Sequence, residues 1–511
     1  MNEIPVYFEI PANLTVKKFI SKLGKQVDLQ IVNQQYTIKT FYDSFDWRLY
    51  NADMICEYNH SQIISQLKLM HNKSGHLISS IEIGHVPSFS HLFPESPFKK
   101  KLEPILEMRA LLPICHLPYE AYLVNIVNKD QKTILRLQIE QHEHLNNRVQ
   151  LHPLKGYEKS HQKIARLLQE KFDLVPSLSG SLLHEELKQQ GRKVKDYSSK
   201  ITIKLKPDMR ADKASKFIYK HLLQAMQANE AGTIQDTDSE FLHDFRVAVR
   251  RTRSGLSQIK NTLPAEKVSQ HASFFAWLGQ ITGPTRDLDV YLLSYPHYKK
   301  NLPLSLQDDI APLYDLLLQK QQQAQKELSE KLKSPQYKKQ LIAWEEYLNE
   351  PLPKKGQASH ANQSIQEVAN IRIWKVYQRV IKEGNAINAN SPAEALHDLR
   401  KTCKKLRYLM EFFQSLYPQQ EIKTAIKSLK GFQSVLGDFQ DYEIQELNIK
   451  HFSEEMMNNH VASNTLLAMG VLVQYLDTMK HSARNHFAEQ FNIFITPENK
   501  ATFKHLFAHK A

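Results

Sequence analysis

From its start to about Leu205 the chain alternates short runs of β-forming residues with polar turns. These runs are Gln30–Phe41, Met54–Tyr58, His76–Ile83, Ala121–Ile126 and Lys132–Gln141. Within the last, Thr133 to Glu140 read Thr-Ile-Leu-Arg-Leu-Gln-Ile-Glu, an apolar-polar alternation with the period of a half-buried strand. An antiparallel sheet that can close into a barrel is predicted. A helical pattern follows over Lys159–Phe172, and Asp173–Lys200 reads as a connector with a short helix around Leu182–Gln190. Beyond about Lys206 the period changes. The chain becomes rich in Leu, Gln, Lys and Glu with apolar positions at helical spacing, which predicts a series of amphipathic helices. The expected organisation is α+β, with a β domain and helical connector over residues 1–200 and an all-α domain over 206–511.

The helical part repeats itself. Leu242-His243-Asp244-Phe245-Arg246 and Leu396-His397-Asp398-Leu399-Arg400 match at an offset of 154, and so do Gly283 with Gly437 and Asp287 with Asp441. A duplicated helical unit is implied, with repeat 1 at about 206–350 and repeat 2 at about 363–511.

Composition narrows the classes. With 511 residues, 41% hydrophobic and 24% charged, the chain is too apolar to be largely disordered and long enough for two or more cores. Its net charge of +13 is spread over both parts, so any anion site must come from local clustering. Cys56, Cys115 and Cys403 lie far apart, without zinc or redox spacing. The longest near-apolar run, Leu466–Leu476, is about half of a membrane span, and the first ten residues lack a signal pattern. A soluble cytoplasmic protein without a membrane partner is expected.

Local clustering is what the repeats supply. On a helix, His243, Arg246, Arg250 and Arg253 project from one sector of roughly 80° over about 15 Å. His397, Arg400, Lys404 and Arg407 have the same spacing, and Arg251 and Lys405 flank the two rows. A generic solvated face mixes Glu with Lys at i, i+4. These rows hold no carboxylate, and their mutual repulsion calls for an anion. Two further rows, Lys213, Lys216, Lys220 and Arg372, Lys375, Arg379, share the spacing i, i+3, i+7 and correspond if the offset there is 159. The neighbouring Asp244, Asp287, Asp289, Asp398, Asp438 and Asp441 are expected to pair with arginines such as Arg286 and keep the bundles in register. Nothing in this part supplies a nucleophile with a base, a Gly-rich phosphate loop or a metal cluster, so no catalytic residue, metal or cofactor is assigned.

The order of elements in the first part resembles the CYTH family of triphosphate tunnel enzymes. Phe41-Tyr42-Asp43-Ser44 is similar to that family's Tyr-Asp-Thr segment, and Leu151-His152-Pro153-Leu154-Lys155-Gly156-Tyr157 precedes a helix as expected. The resemblance implies a β-barrel tunnel that binds triphosphate and metal. The Glu-x-Glu-x-Lys strand is degenerate here, however. It reads Val6-Tyr7-Phe8-Glu9-Ile10-Pro11, and Glu57-Tyr58-Asn59 stands where Arg-x-Arg belongs.

The paired His-Asp-x-Arg segments, the Arg286-Asp287-Leu288-Asp289-Val290 run and the duplication resemble the CHAD domain, named for histidines in an α-helical domain. That resemblance covers about Lys206–Ala511. It implies two four-helix bundles related by a pseudo-twofold axis, with inorganic polyphosphate bound in a basic groove between them, and it is compatible with association with polyphosphate granules. Lys404 and Lys405 replace Arg250 and Arg251 in the second copy, losing the bidentate fork. Two other functions stay open: a metal-dependent triphosphatase using Glu9 and Glu140, to which Glu143 could add a third carboxylate, and a nucleic-acid binder. Single-strand binders interleave aromatics for base stacking, and the rows offer only Phe245 and Tyr408, so nucleic acid is not expected as the primary ligand.

Overall fold

A computed structural model of the protein describes residues 7–60, 65–177 and 181–508. Val6 of the degenerate strand and residues 509–511 of the expected helical domain lie outside them. The chain divides into two units, Met1–Ser199 and Lys200–Ala511.

The first unit is a nine-stranded sheet with helices. Its strands are β1 (Tyr7–Glu9), β2 (Leu29–Asp43), β3 (Met54–His60), β4 (Ser65–His71), β5 (Leu77–Glu82), β6 (Leu112–Val127), β7 (Thr133–Gln141), β8 (Arg148–Pro153) and β9 (Val175–Ser177). The helices are α1 (Val16–Gly24), α2 (Arg48–Asn51), α3 (Pro97–Leu106), α4 (Glu158–Phe172) and α5 (Ser181–Gln189). The strand order is β5-β4-β3-β2-β6-β7-β8-β1-β9, with antiparallel neighbours throughout. The sheet curls without closing, since β5 and β9 do not pair with each other among the described residues. The alternation in β7 sorts its side chains by face: Leu135, Leu137 and Ile139 join an apolar core with Phe8, Phe19, Leu23 and Leu168. Glu140 is buried outside that core, with polar partners.

The second unit holds α6 (Ala211–Gln235), α7 (Ser239–Gln258), α8 (Ala265–Ile281), α9 (Gly283–Lys300), α10 (Ala311–Lys333), α11 (Pro335–Asn349), α12 (Ile365–Asn385), α13 (Ala393–Phe413), α14 (Gln419–Asn458), α15 (Ser463–Phe494) and α16 (Pro497–Phe507). The starts of α6 and α12, of α7 and α13, and of α8 and α14 are each 154 residues apart. In repeat 1 the third helix breaks into α8 and α9 at Thr282-Gly283-Pro284, because Pro284 has no N–H to continue the ladder. Asp438 occupies the equivalent place in repeat 2, and α14 runs through.

Equivalent elements meet each other across the duplication. The Ala211 amide donates to the Gln363 carbonyl (3.0 Å), and the Ile365 amide donates to the Met209 carbonyl (2.8 Å), the same bond in each direction. α6 touches α12 and α7 touches α13. Such reciprocity marks a twofold-like contact. One apolar cluster, including Phe245, Trp344, Leu399, Phe413 and Phe432, runs through both repeats, and a second joins α9, α10, α14 and α15 around Tyr298, Leu313, Ile449 and Leu472. The repeats therefore share their main core. Among the described residues, no helix is long and apolar enough to cross a membrane.

Candidate functional site

The two main rows are set by their own helices. The Asp238 carboxylate caps α7 by accepting from the Glu240 and Phe241 amides. Phe241, Leu242, Phe245, Val249 and Leu256 bury the opposite stripe, and in α13 Leu396, Leu399, Cys403 and Leu406 do the same. Apart from the exposed Arg253, the cationic sides are left half-buried, and the contact between α7 and α13 brings the two rows together.

Each row then acquires partners from the third helix of its repeat. Arg246 donates to Thr282 Oγ1 (2.9 Å) and to the Gly279 carbonyl (3.4 Å), and burial lowers its pKa to about 10 although Asp287 opposes the shift. Arg400 donates to Gln440 Oε1 (2.8 Å) and Asp441 Oδ1 (3.1 Å). His397 Nε2 lies 2.6 Å from Glu443, at an angle outside that of a hydrogen bond, and Nδ1 lies 3.8 Å from Glu394. His243 is half-buried at the equivalent place in α7. Arg251 joins the helices through Glu411 (3.1 Å), and the same carboxylate lies 3.8 Å from Arg407. Arg253 is exposed and Lys405 half-buried.

Where the rows converge, a cavity of about 320 Å³ is lined by Arg250, Arg400, Lys404 and Arg407, with Tyr408, Lys430, Gln433 and Ser434. Among the described residues no carboxylate lines it. Burial first, and then Arg400, Arg250 and Arg407, push the Lys404 pKa down to about 8, with Asp441 opposing. The buried Gln433 amide has neither its oxygen nor its nitrogen hydrogen-bonded. Crowded cations and an unsatisfied donor are what an oxyanion with several oxygens would satisfy.

The remaining predicted residues lie elsewhere. Because α6 and α12 start 154 residues apart, an offset of 159 does not relate their rows; at 154, Lys213, Lys216 and Lys220 correspond to Glu367, Asn370 and Trp374. Lys216 is buried and donates to the carbonyls of Tyr347 (2.6 Å), in the last turn of α11, and of Glu350 (3.0 Å), just beyond it. Lys213 and Lys220 line a separate cavity of about 620 Å³ with Lys216. Arg372 donates to the Gln258 carbonyl (2.7 Å), Arg379 pairs with Glu383, and Lys375 is exposed.

The aspartates divide likewise. Asp441 pairs with Arg400, but Arg286 turns to the Ser239 carbonyl and to Glu240, Asp289 accepts from Gln321, and Asp398 pairs with Lys401. Glu443, Glu411, Gln433 and Lys430 were not anticipated. For Glu443 a signal existed, since it stands 154 residues after Asp289.

In the first unit the polar interior neutralises itself. Lys39 Nζ donates to both oxygens of Glu140 (2.8 and 2.9 Å) and lies 4.0 Å from Glu57, with all three side chains buried. Gln138 donates to Glu140 (3.0 Å), and His142 Nε2 lies 3.3 Å from it. Against the effect of burial, Lys39 and His142 hold the Glu140 carboxyl well below the usual range. Burial raises the Glu57 carboxyl although Lys39 opposes it. Glu9 accepts from Arg148 (3.2 Å) and Ser177 (2.8 Å), while Glu143 is exposed. Among the described residues, no three His, Cys, Asp or Glu side chains are placed to hold a metal ion. Asp43 of the Tyr-Asp segment accepts from the amides of Ser44 (2.7 Å), Leu49 (2.9 Å) and Tyr50 (2.9 Å), fixing the turn into α2.

No curated protein matches the sequence significantly. The chain is similar in structure to the CHAD domain from the plant Ricinus communis, at 20% identity over 61% of this chain and 96% of that one, with a TM-score of 0.44. It is also similar to a Hippeastrum protein described as an adenylyl cyclase candidate with a dominant triphosphatase activity (10% identity, 37% of this chain, 96% of that one, TM-score 0.28). A third likeness is to an adenylate cyclase candidate from Vibrio parahaemolyticus (10%, 34%, 91%, TM-score 0.24). The family model described as CHAD domain matches residues 218–448, a span that includes both cationic rows, and the helical unit of this chain thus carries a CHAD domain.

Proposed function

We propose that the helical unit binds inorganic polyphosphate where the α7 and α13 rows converge, and that it does so without a chemical step. The observation that carries this reading is the cavity lined by Arg250, Arg400, Lys404 and Arg407 and by no carboxylate. Polyphosphate offers closely spaced non-bridging oxygens and no bases. Arginine meets them with paired donors, lysine with a mobile point charge and Gln433 with a neutral donor. Anion binding would relieve the repulsion that lowers the Lys404 pKa, and counterion release would make association salt-sensitive, as it is for nucleic acid. The CHAD domain match supports the same ligand.

The test is charge reversal in the full-length protein, with Arg250→Glu/Arg253→Glu and, separately, Lys404→Glu/Arg407→Glu. Each lost charge-assisted contact should cost roughly 1.5–3 kcal/mol, so affinity for long-chain polyphosphate falls by about tenfold or more per contact while helical content is kept. Unchanged affinity in both variants would return the rows to ordinary solvated faces. Displacement of bound polyphosphate by RNA at equal phosphate concentration would overturn the choice of ligand.

A further inference from the structure

The central cavity is too small for a long polyanion, so the direction in which such a chain would leave it is a structural question. Along α14, Lys423, Lys427 and Lys430 stand at i, i+4, i+7, one face over about 10 Å of helix. All three are exposed. Their equivalents in repeat 1, 154 residues earlier, are Ser269, Ser273 and Ala276, so the row belongs to repeat 2 alone.

The row rims a groove of about 980 Å³. Its other wall is the extended segment Lys200–Leu205, in which Ile201, Ile203 and Leu205 are buried in the helical core while Thr202 and Lys204 face out. The segment is pinned by Gln414 Nε2 donating to the Ile201 carbonyl (3.2 Å) and by the Leu205 amide donating to Ser415 Oγ (3.0 Å). Lys430 lines this groove and the central cavity alike. At the joint one carboxylate, Glu411, faces three cations: Arg251 at 3.1 Å, Arg407 at 3.8 Å and Lys430 at 4.0 Å. Among the described residues Glu411 is also the only carboxylate lining the groove, so the path stays positive.

We infer that the polyanion site is one-sided: a polyphosphate chain held at Arg250, Arg400, Lys404 and Arg407 continues past Lys430 into the groove between α14 and the Lys200–Leu205 segment. There Lys427, Lys423 and Lys204 meet its next phosphates. This rests on the polyphosphate reading and deepens it, because it makes affinity depend on chain length. Tripolyphosphate fills the central cavity and gains nothing from α14, whereas a long chain gains several mobile point-charge contacts that salt weakens readily.

The experiment compares tripolyphosphate with long-chain polyphosphate on four full-length proteins: wild type, Lys423→Glu/Lys427→Glu, Arg250→Glu/Lys404→Glu, and Ser269→Glu/Ser273→Glu at the equivalent positions of repeat 1. The α14 variant should bind tripolyphosphate within about twofold of wild type, lose about tenfold or more on the long chain, and show a shallower salt dependence. The central variant should lose both ligands, and the repeat 1 variant neither. Long-chain affinity equal to wild type in the α14 variant would overturn the inference, as would an equal loss in the repeat 1 variant. A loss confined to single-stranded RNA would assign the groove to nucleic acid instead. Wild-type protein that binds neither phosphate would refute the polyphosphate reading itself, an outcome distinct from the others.

Discussion

The two units bury cations in opposite ways. In the sheet, Lys39 is held against Glu140 and faces Glu57, and Arg148 is held by Glu9, so each buried positive charge has a carboxylate of its own. In the helical unit, Arg250, Arg400, Lys404 and Arg407 share a cavity that no carboxylate lines, and their nearest acids, Asp441 and Glu411, stand at its margin. A paired buried cation serves the fold, since removing either partner strands the other. A crowd of cations with fewer acids than positive charges costs stability, a cost that a bound anion would offset. That difference separates an open sheet whose buried charges are paired from a helical cavity whose lining is cationic.

The sharpest way to break the comparison is the same substitution in both places. Lys39→Met leaves the buried Glu140 without its lysine, and should destabilise the sheet unit by about 3–5 kcal/mol in chemical denaturation, with polyphosphate binding by folded protein unchanged. Lys404→Met removes a repelled charge. It should stabilise the helical unit by about 1 kcal/mol while weakening polyphosphate binding by about tenfold or more. Equal destabilisation by the two substitutions would erase the distinction.

How much of this the sequence disclosed depends on the signal. The period-2 run in β7 and the offset of 154 both survive in the structure, because alternation and duplication are local patterns that tertiary packing preserves. β4 and β8 were passed over. Ser65–His71 is short and bounded by histidine and serine, and Arg148–Pro153 carries Arg148 and Gln150 buried in a polar interior, so neither reads as an apolar run. The row rule picks out the α7 and α13 cations from spacing along one helix, but it cannot foresee that the Lys216 ammonium is drawn to the Tyr347 and Glu350 carbonyls at the end of α11. Glu411 and Lys430 reach the site through the packing of α13 on α7 and of α14 on α13, which spacing along one helix cannot reveal. The expected connector ends at Lys200 and the expected helical domain begins at 206, yet Ile201, Ile203 and Leu205 between them pack into the helical core.

A smaller effect sharpens the same contrast through protons. In the free protein Lys404 has a pKa of about 8, below its ordinary value, because burial and three arginines disfavour its charge. The unfolded chain holds that proton more tightly, so the destabilisation from Lys404 is present in full below about pH 8 and is relieved as pH rises toward the ordinary lysine value. A bound polyanion reverses the field and restores the proton. Calorimetry near pH 8 in two buffers of different ionisation enthalpy should report uptake of about half a proton on binding, with affinity declining at higher pH. Lys404→Arg keeps the charge without titrating there, and should bind while losing the uptake. Uptake unchanged in that variant would mean that another group is responsible.

The smallest expected effect is none at all. Full-length protein given tripolyphosphate with magnesium or manganese should hydrolyse it at the background rate. Phosphoryl transfer relies on metal ions and cationic side chains to neutralise the transferred group, and those ions need carboxylates that are free to ligate. Here Glu140 is committed to Lys39, Gln138 and His142, Glu9 to Arg148 and Ser177, and Glu143 is exposed. Glu57 is buried on the same interior, facing Lys39, at the position where the CYTH resemblance would place the first arginine of its Arg-x-Arg. To ligate a metal ion here, Glu140 and Glu9 would first have to leave the cations that hold them. Metal-dependent turnover that disappears in Glu9→Gln would show that the pairs open on binding, and the sheet unit would then be an enzyme whose resting state is closed.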